Sequence, residues 1–361
     1  MISKKKIAAA LLAGCLAATT LTSCGAIDNM AVVKINGGKD KITYGYANFN
    51  ARLTQAMYDV VYSSSSQSTD DMWTKTGTSG TKTMEDSTKD QVMESMKAAY
   101  YLRKNAKDYK IELTDKEKKN IEKAAKAFMK NNSKAAKKQL GATQEYVEEY
   151  LTDQVYTKKM QDAIKAAADT TVTDEEANMK SIEYVFYNTQ MSYGSDGSMV
   201  LPTEDDIKTY KANADKLAAS KDFDATVTEV GATASSYNYD IKTYKEAKKN
   251  GYFTDSTAKT QVDFSVLDAV DKLSDGETTA VIEVKDKGYY VAHMKSTSDS
   301  DLTESNRTTL QEEKKTDFYN DTLKKYEAKS TWTLNKYLWS KVRFIDRFEG
   351  SLATTTDTDT N

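Results

Sequence analysis

Both cysteines of this 361-residue chain, Cys15 and Cys24, lie within its first twenty-four residues. The chain beyond them must fold without a disulfide, a thiol nucleophile or a cysteine-ligated zinc. Only one histidine, His293, is present. No G-x-S-x-G elbow, H-E-x-x-H helix, P-loop or G-x-G-x-x-G supports hydrolysis or nucleotide binding. The expectation is a protein with no cofactor and no metal.

The N-terminus itself is informative. Met1-Ile2-Ser3-Lys4-Lys5-Lys6 is basic, an apolar run begins at Ile7, and Leu21-Thr22-Ser23-Cys24 closes it. That order is a secretory signal, not a spanning helix. The small residues before Cys24 resemble a bacterial lipobox, whose cysteine is diacylated and becomes the new N-terminus. Leu12-Ala13-Gly14-Cys15 fits the same pattern. Cleavage there, however, leaves too short an apolar region and a mature chain opening on Leu16-Ala17-Ala18. We expect residues 1–23 to be a lipoprotein signal, Cys24 the lipidation site and 24–31 a tether. Two acyl chains, each CH₂ worth about 0.8 kcal/mol when buried, are enough for stable anchoring. The location expected is the outer face of a bacterial cytoplasmic membrane, and an ordinary secreted protein with incidental cysteines is the plainer alternative.

Loss of Lys4, Lys5 and Lys6 with the signal takes the formal charge from −3 to about −6. That balance argues against nucleic acid and against an electrostatic membrane patch. Charged residues are 29% and mixed in sign, the pattern of solvated helices rather than of an acidic tail.

Val32-Val33-Lys34-Ile35-Asn36-Gly37-Gly38 reads as a strand and turn, with Ile42-Thr43 after it. Residues 44–62 have helical spacing, Phe49, Leu53, Met57 and Val61 lying four apart. Residues 63–85 are rich in Ser, Thr and Gly and read as a surface loop, with Trp73 pinned back onto the body. A helical block occupies 86–168. Inside it Thr114-Asp115-Lys116-Glu117 is a capping box and Gly141 a break. Near Thr170 the texture changes. Thr173-Asp174-Glu175-Glu176 caps one more turn, and Ile182-Glu183-Tyr184-Val185-Phe186-Tyr187 is strand-like. A Gly/Ser loop over 194–198, the only proline (Pro202), and a helix carrying Ile207, Tyr210, Ala214 and Leu217 come next. Beyond Asp222-Phe223 we expect a polar strand region, a turn at Gly251-Tyr252-Phe253 and a short helix over 266–272. A hairpin over 280–284 and 289–294 completes a small α+β domain. A charged helix returns over 303–328.

The segment Ala269-Val270-Asp271-Lys272-Leu273-Ser274-Asp275-Gly276-Glu277, with Gly288-Tyr289-Tyr290-Val291 after it, resembles the end of a parvulin-type rotamase domain. Val33-Lys34-Ile35-Asn36-Gly37 with a helix after it resembles the start of the foldases that carry such domains. Taken in order, the chain resembles the PrsA-like foldase lipoproteins of the parvulin-type peptidyl-prolyl isomerase family. The fold implied is α+β: a mostly helical SurA/PrsA-like N-terminal lobe over 32–169, a parvulin-like domain inserted over 170–300, a C-terminal helix and strand rejoining the lobe over 301–348, and a disordered tail over 349–361. The partners implied are unfolded or newly exported proteins, with the membrane reached through the lipid. A homodimer is compatible with that reading.

This sequence departs from the family where the chemistry sits. The family's two facing histidines fall at Tyr184 and Tyr290, while His293 lies three residues further on and so on the opposite face. The proline pocket falls at Val262 and Val266, with Phe264 between them. Any activity would be prolyl cis–trans isomerisation, against a barrier of about 18–20 kcal/mol, and the two tyrosines imply that it is reduced or lost. Met57, Met72, Met84, Met93, Met96 and Met129 offer adaptable contacts for unfolded chains, or simply fill a core. The alternative is a surface lipoprotein that binds one ligand or scaffolds an envelope complex.

Overall fold

The structure is a computed structural model that describes residues 10–13, 25–64, 71–76, 80–193, 197–250, 262–344, 348 and 351–354. The signal, Cys15, Cys24 and the turn at Gly251-Tyr252-Phe253 lie outside the described residues, apart from Ala10–Ala13. The chain divides into two compact units, residues 1–168 with 315–361, and residues 169–314. The fold class is α+β, with helices of up to 28 residues and small antiparallel sheets.

The first unit is built around a three-stranded sheet. Ala31–Ile35 is its middle strand, flanked by Asp40–Thr43 and by Trp332–Leu334 from the far end of the chain. Helices Tyr44–Ser64, Met84–Lys104 and Gln144–Ala166 pack against it, and Asp115–Asn131 packs on Gln144–Ala166. Thr114 and Glu117 form the expected reciprocal capping box, satisfying two donors that a helix start leaves free. Trp73 is pinned, at 4% exposure, its ring 4.8 Å from Phe344 in an edge-to-face contact.

The apolar stripe of the Tyr44–Ser64 helix divides in two. Phe49 and Leu53 are buried, whereas Met57 and Val61 are 42% and 57% exposed. In their place Ala56 and Val60 turn inward, with Gln55 and Asp59 beside them. Asp59 is fully buried. Its Oδ1 accepts from Trp73 Nε1 at 2.8 Å, and its Oδ2 from Phe348 N at 2.7 Å and Gln55 Nε2 at 3.2 Å. Nearby, Arg52 Nη1 donates to Arg343 O at 2.8 Å and Lys89 Nζ to Val342 O at 2.7 Å. Residues 342–344 lie outside helix and strand, yet Val342, Phe344 and Phe348 are buried. The buried polar side chains supply hydrogen bonds that a helix or sheet would otherwise provide.

The second unit is a four-stranded antiparallel sheet in the order Ser235–Asp240, Met179–Asn188, Gly288–Ser296, Ile282–Val284. Helices Glu204–Ala218 and Phe223–Glu229 cover one face, joining Val185 and Val291. Helices Ile241–Asn250 and Phe264–Val270 contribute to the core on the other. The Ile241–Asn250 helix stands where the sequence reading places only polar strand. Its Tyr244 and Ala247, three apart, are both buried, so tertiary burial of a short helical stripe overrides a polar local composition.

At the chain ends, Ala10–Ala13 pairs antiparallel with Ser351–Thr354. Two short stretches rich in Ala and Leu satisfy each other's backbone groups by pairing.

An Asp59→Ala change strands several buried donors, each costing about 1–3 kcal/mol. A loss of about 3–5 kcal/mol in urea unfolding is therefore expected. A pH dependence comes from Glu149, which burial, with Asp153 one turn along, pushes up to about 6. Asp153 accepts from Tyr46 Oη at 2.7 Å and from Arg103 Nη1 at 3.0 Å, whereas Arg103 only partly offsets the charge on Glu149. Because the folded state holds this proton more tightly than the unfolded chain, its stabilisation is full below pH 4.5 and is lost as pH rises through 6. Glu149→Gln should flatten that window and stabilise the protein at pH 7 by about 1 kcal/mol after solvent screening, read from urea midpoints at pH 4.5, 6 and 7.

Candidate functional site

Strand alternation decides which side chains meet in the second unit. Ile182, Tyr184 and Phe186 leave the Met179–Asn188 strand on one face, and Tyr290, Ala292 and Met294 leave Gly288–Ser296 on the same face. The register sets Phe186 opposite Tyr290 and Tyr184 opposite Ala292. The result brings Tyr184 and Tyr290 together, ring centroids 6.1 Å apart. Phe186 stacks on Tyr290 at 4.2 Å and 15°, a contact that the sequence reading does not single out.

Gly288 starts the strand with φ +142°, where a Cβ would meet the Tyr187 carbonyl oxygen at 2.0 Å. The close approach sets the register that places Tyr290 under Phe186. Tyr290 is 5% exposed, and burial, with Asp263 and Tyr184 nearby, pushes its hydroxyl up to about 12. It is therefore a neutral O–H at physiological pH. Tyr184 is half-buried, and Phe186 is 38% exposed.

The aromatic surface extends to the edge strand. Tyr237 and Tyr239 lie 6.1 Å apart, Tyr244 meets Tyr239 edge-on at 6.0 Å, and Phe264 lies 6.3 Å from Tyr244. Val262 and Val266, expected to line a proline pocket with Phe264, are 2% and 0% exposed and sit within the core. Phe264 is half-buried. Asp263 caps the Phe264–Val270 helix and pairs with Lys287 at 2.7 Å. Burial raises its carboxyl, but Lys287 and Ser265 hold it below the ordinary carboxylate range.

His293 occupies the other face, as its odd offset from Tyr290 requires. It stacks on Phe223 at 5.1 Å and 8°, and its Nδ1 lies 3.0 Å from Thr278 Oγ1. Burial, then Lys295, pushes its imidazole below the ordinary value, so it is neutral at pH 7.

Chemically, this face leaves Tyr184 and Phe186 partly open to solvent over the buried rings of Tyr290, Tyr239 and Tyr244, framed by an Asp–Lys pair. Among the described residues, no group of three or more His, Cys, Asp or Glu side chains is placed to hold a metal ion. No helix among them is long and apolar enough to cross a membrane. In the first unit the methionines divide: Met93 and Met96 are core residues, Met72, Met84 and Met129 are partly buried, and Met57 is exposed.

No family model matches the chain, and no curated protein matches it. Among solved structures it is similar to a foldase protein (PrsA) from Lactococcus lactis, at 15% identity over 87% of this chain and 99% of that one, with a TM-score of 0.31. It is also similar to foldase protein PrsA from Streptococcus pneumoniae, at 19% identity over 70% and 88% with a TM-score of 0.26. A SurA-like chaperone structure from Campylobacter jejuni aligns at 12% identity over 85% and 99%, with a TM-score of 0.27.

If Tyr290 serves as a packed ring, Tyr290→Phe should leave thermal stability within about 1 kcal/mol, whereas Tyr290→Ala should cost about 3–5 kcal/mol. A large loss for Phe as well, in urea unfolding, would mean that the hydroxyl carries the role.

Proposed function

We propose that this chain is a lipid-anchored, extracytoplasmic foldase that holds newly exported, unfolded polypeptides, with prolyl isomerisation reduced or lost. The observation that carries the reading is the state of Tyr290. Where the resemblance places a histidine, a buried ring stacks on Phe186 and keeps its hydroxyl proton, with a value of about 12. Such a face gives apolar and prolyl side chains ring surface, with Tyr290 held as a neutral hydroxyl. Tyr184 remains as a hydroxyl that both donates and accepts.

Holding unfolded chains needs exposed apolar surface, and Met57 and Val61 supply some in the first unit. Anchoring rests on the sequence that ends at Cys24. Cleavage there would remove Ala10–Ala13, the pairing partner of Ser351–Thr354, so that pair belongs to the uncleaved chain. A second reading, capture of one defined ligand by a surface lipoprotein, draws on the partly exposed tyrosines of the sheet face, Tyr184 and Tyr237.

The test is a paired assay on the purified chain: light scattering of an aggregating protein, and refolding of a proline-limited one. We expect scattering to be suppressed, with the slow phase of tens of seconds accelerated by less than about twofold. Strong acceleration, abolished by Tyr184→Phe, would restore a working isomerase. No suppression, together with saturable binding of a single ligand, would favour the second reading.

A further inference from the structure

Between the Met179–Asn188 strand and the Glu204–Ala218 helix the chain makes a small hairpin, Ser192–Tyr193 paired with Met199–Val200. Its side chains are apolar and turned to solvent. Met191 is 52% exposed, Tyr193 73%, Met199 66%, Val200 46% and Leu201 69%. Tyr193 lies directly across from Met199, and Met191 and Leu201 are the next residues of the same parity, so one face carries all four.

Both ends of this arm are fixed. Thr189 N donates to Lys287 O at 3.0 Å on the entering side. On the leaving side Thr203 and Asp206 form a capping box at the start of the next helix. An isolated two-stranded hairpin is marginal in water, and exposed apolar patches of this kind mark interaction sites.

Charge selects the occupant. From Thr189 to Ile207 the sequence has no lysine or arginine and four acidic residues, Asp196, Glu204, Asp205 and Asp206. The last three are exposed; the next cation along the chain, Lys208, pairs with Asp205 at 3.0 Å, and Lys287, whose backbone holds Thr189, pairs with Asp263 at 2.7 Å. A second copy of the arm would bring like charge to like. An anionic lipid surface would repel the same acids.

We propose that the paired strands Ser192–Tyr193 and Met199–Val200, with Met191 and Leu201 at their ends, are a docking arm for extended segments of unfolded polypeptide whose apolar residues are bracketed by lysine or arginine. The proposal rests on the foldase reading above and assigns it a selectivity. The open edges of the two short strands accept an extended chain, the Met191–Leu201 face takes its apolar side chains, and Glu204 and Asp205 meet its basic flanks.

The test measures fluorescence anisotropy of two labelled 15-residue peptides with one apolar core, flanked by lysines in one and glutamates in the other. It uses the full chain and two variants. The first joins Met191→Ser, Tyr193→Ser, Met199→Ser and Leu201→Ser; the second joins Glu204→Gln and Asp205→Asn. Wild type should bind the lysine-flanked peptide about tenfold more tightly, with the preference fading as salt rises. The serine variant should lose most binding to both peptides. The charge variant, which keeps the cap at Asp206, should lose the preference and keep the apolar affinity.

Equal binding by wild type and serine variant overturns the docking arm while leaving the foldase reading intact if aggregation is still suppressed. A wild type that neither binds a peptide nor suppresses aggregation overturns both. If the serine variant changes only the sedimenting mass, the arm is a contact between copies. If it changes only binding to phosphatidylglycerol vesicles, the arm is a lipid contact. Either result also overturns the proposal.

Discussion

The pairing of Trp332–Leu334 with Val33–Ile35 is the constraint on which the first unit depends. Asn36 and Ser330, at its edge, are 294 residues apart in sequence. Closing so long a loop is not itself prohibitive, since each doubling of length adds only about 0.6 kcal/mol. The harder problem lies in the chain beyond the strand. Val342, Phe344 and Phe348 enter the core, 342–344 without helix or strand, so their backbone polar groups need partners from side chains. Arg52, Lys89 and Asp59 meet that need, reaching Arg343 O, Val342 O and Phe348 N. These buried charges form the seam that closes the unit on its own C-terminal chain.

That seam was not legible in the sequence, and the reason is physical. Periodicity finds apolar stripes, and nothing in either helix marks Asp59 or Lys89 as inward-facing. The backbone groups they meet, Phe348 N and Val342 O, lie 289 and 253 residues away. Features set by neighbours were legible: the Thr114–Glu117 box, the Thr173–Glu176 box and the glycine-led hairpin at Gly288 all form. Trp73 was a middle case, its burial readable from a lone large aromatic in a polar loop, its bond to Asp59 not. The Ile241–Asn250 helix escaped notice because the alternating Tyr237-Asn238-Tyr239-Asp240 runs directly into it.

At the sheet face, the same division holds. A period of two is enough to put Tyr184 and Tyr290 on one side and His293 on the other, once the strands pair antiparallel. The stack of Phe186 on Tyr290 is different, because it depends on which residue lies across the ladder. The close approach of Gly288 to Tyr187 helps fix that register. The resemblance places Val262 and Val266 at a pocket, and in the fold both pack within the sheet core, at 2% and 0% exposure.

The consequence for function comes from what ring surface can discriminate. Faster isomerisation requires binding the twisted amide better than the planar one, and each tenfold in rate takes about 1.4 kcal/mol of that difference. Stacked rings grip a prolyl or aromatic side chain much the same in either geometry. Such binding is uniform: it adds affinity without lowering the barrier. To discriminate, a site needs donors aimed at the twisted state. Tyr290 lies packed under Phe186, which leaves Tyr184 as the less buried hydroxyl of the pair. A surface of this kind can add affinity for an apolar side chain, but it cannot by itself lower the barrier to isomerisation.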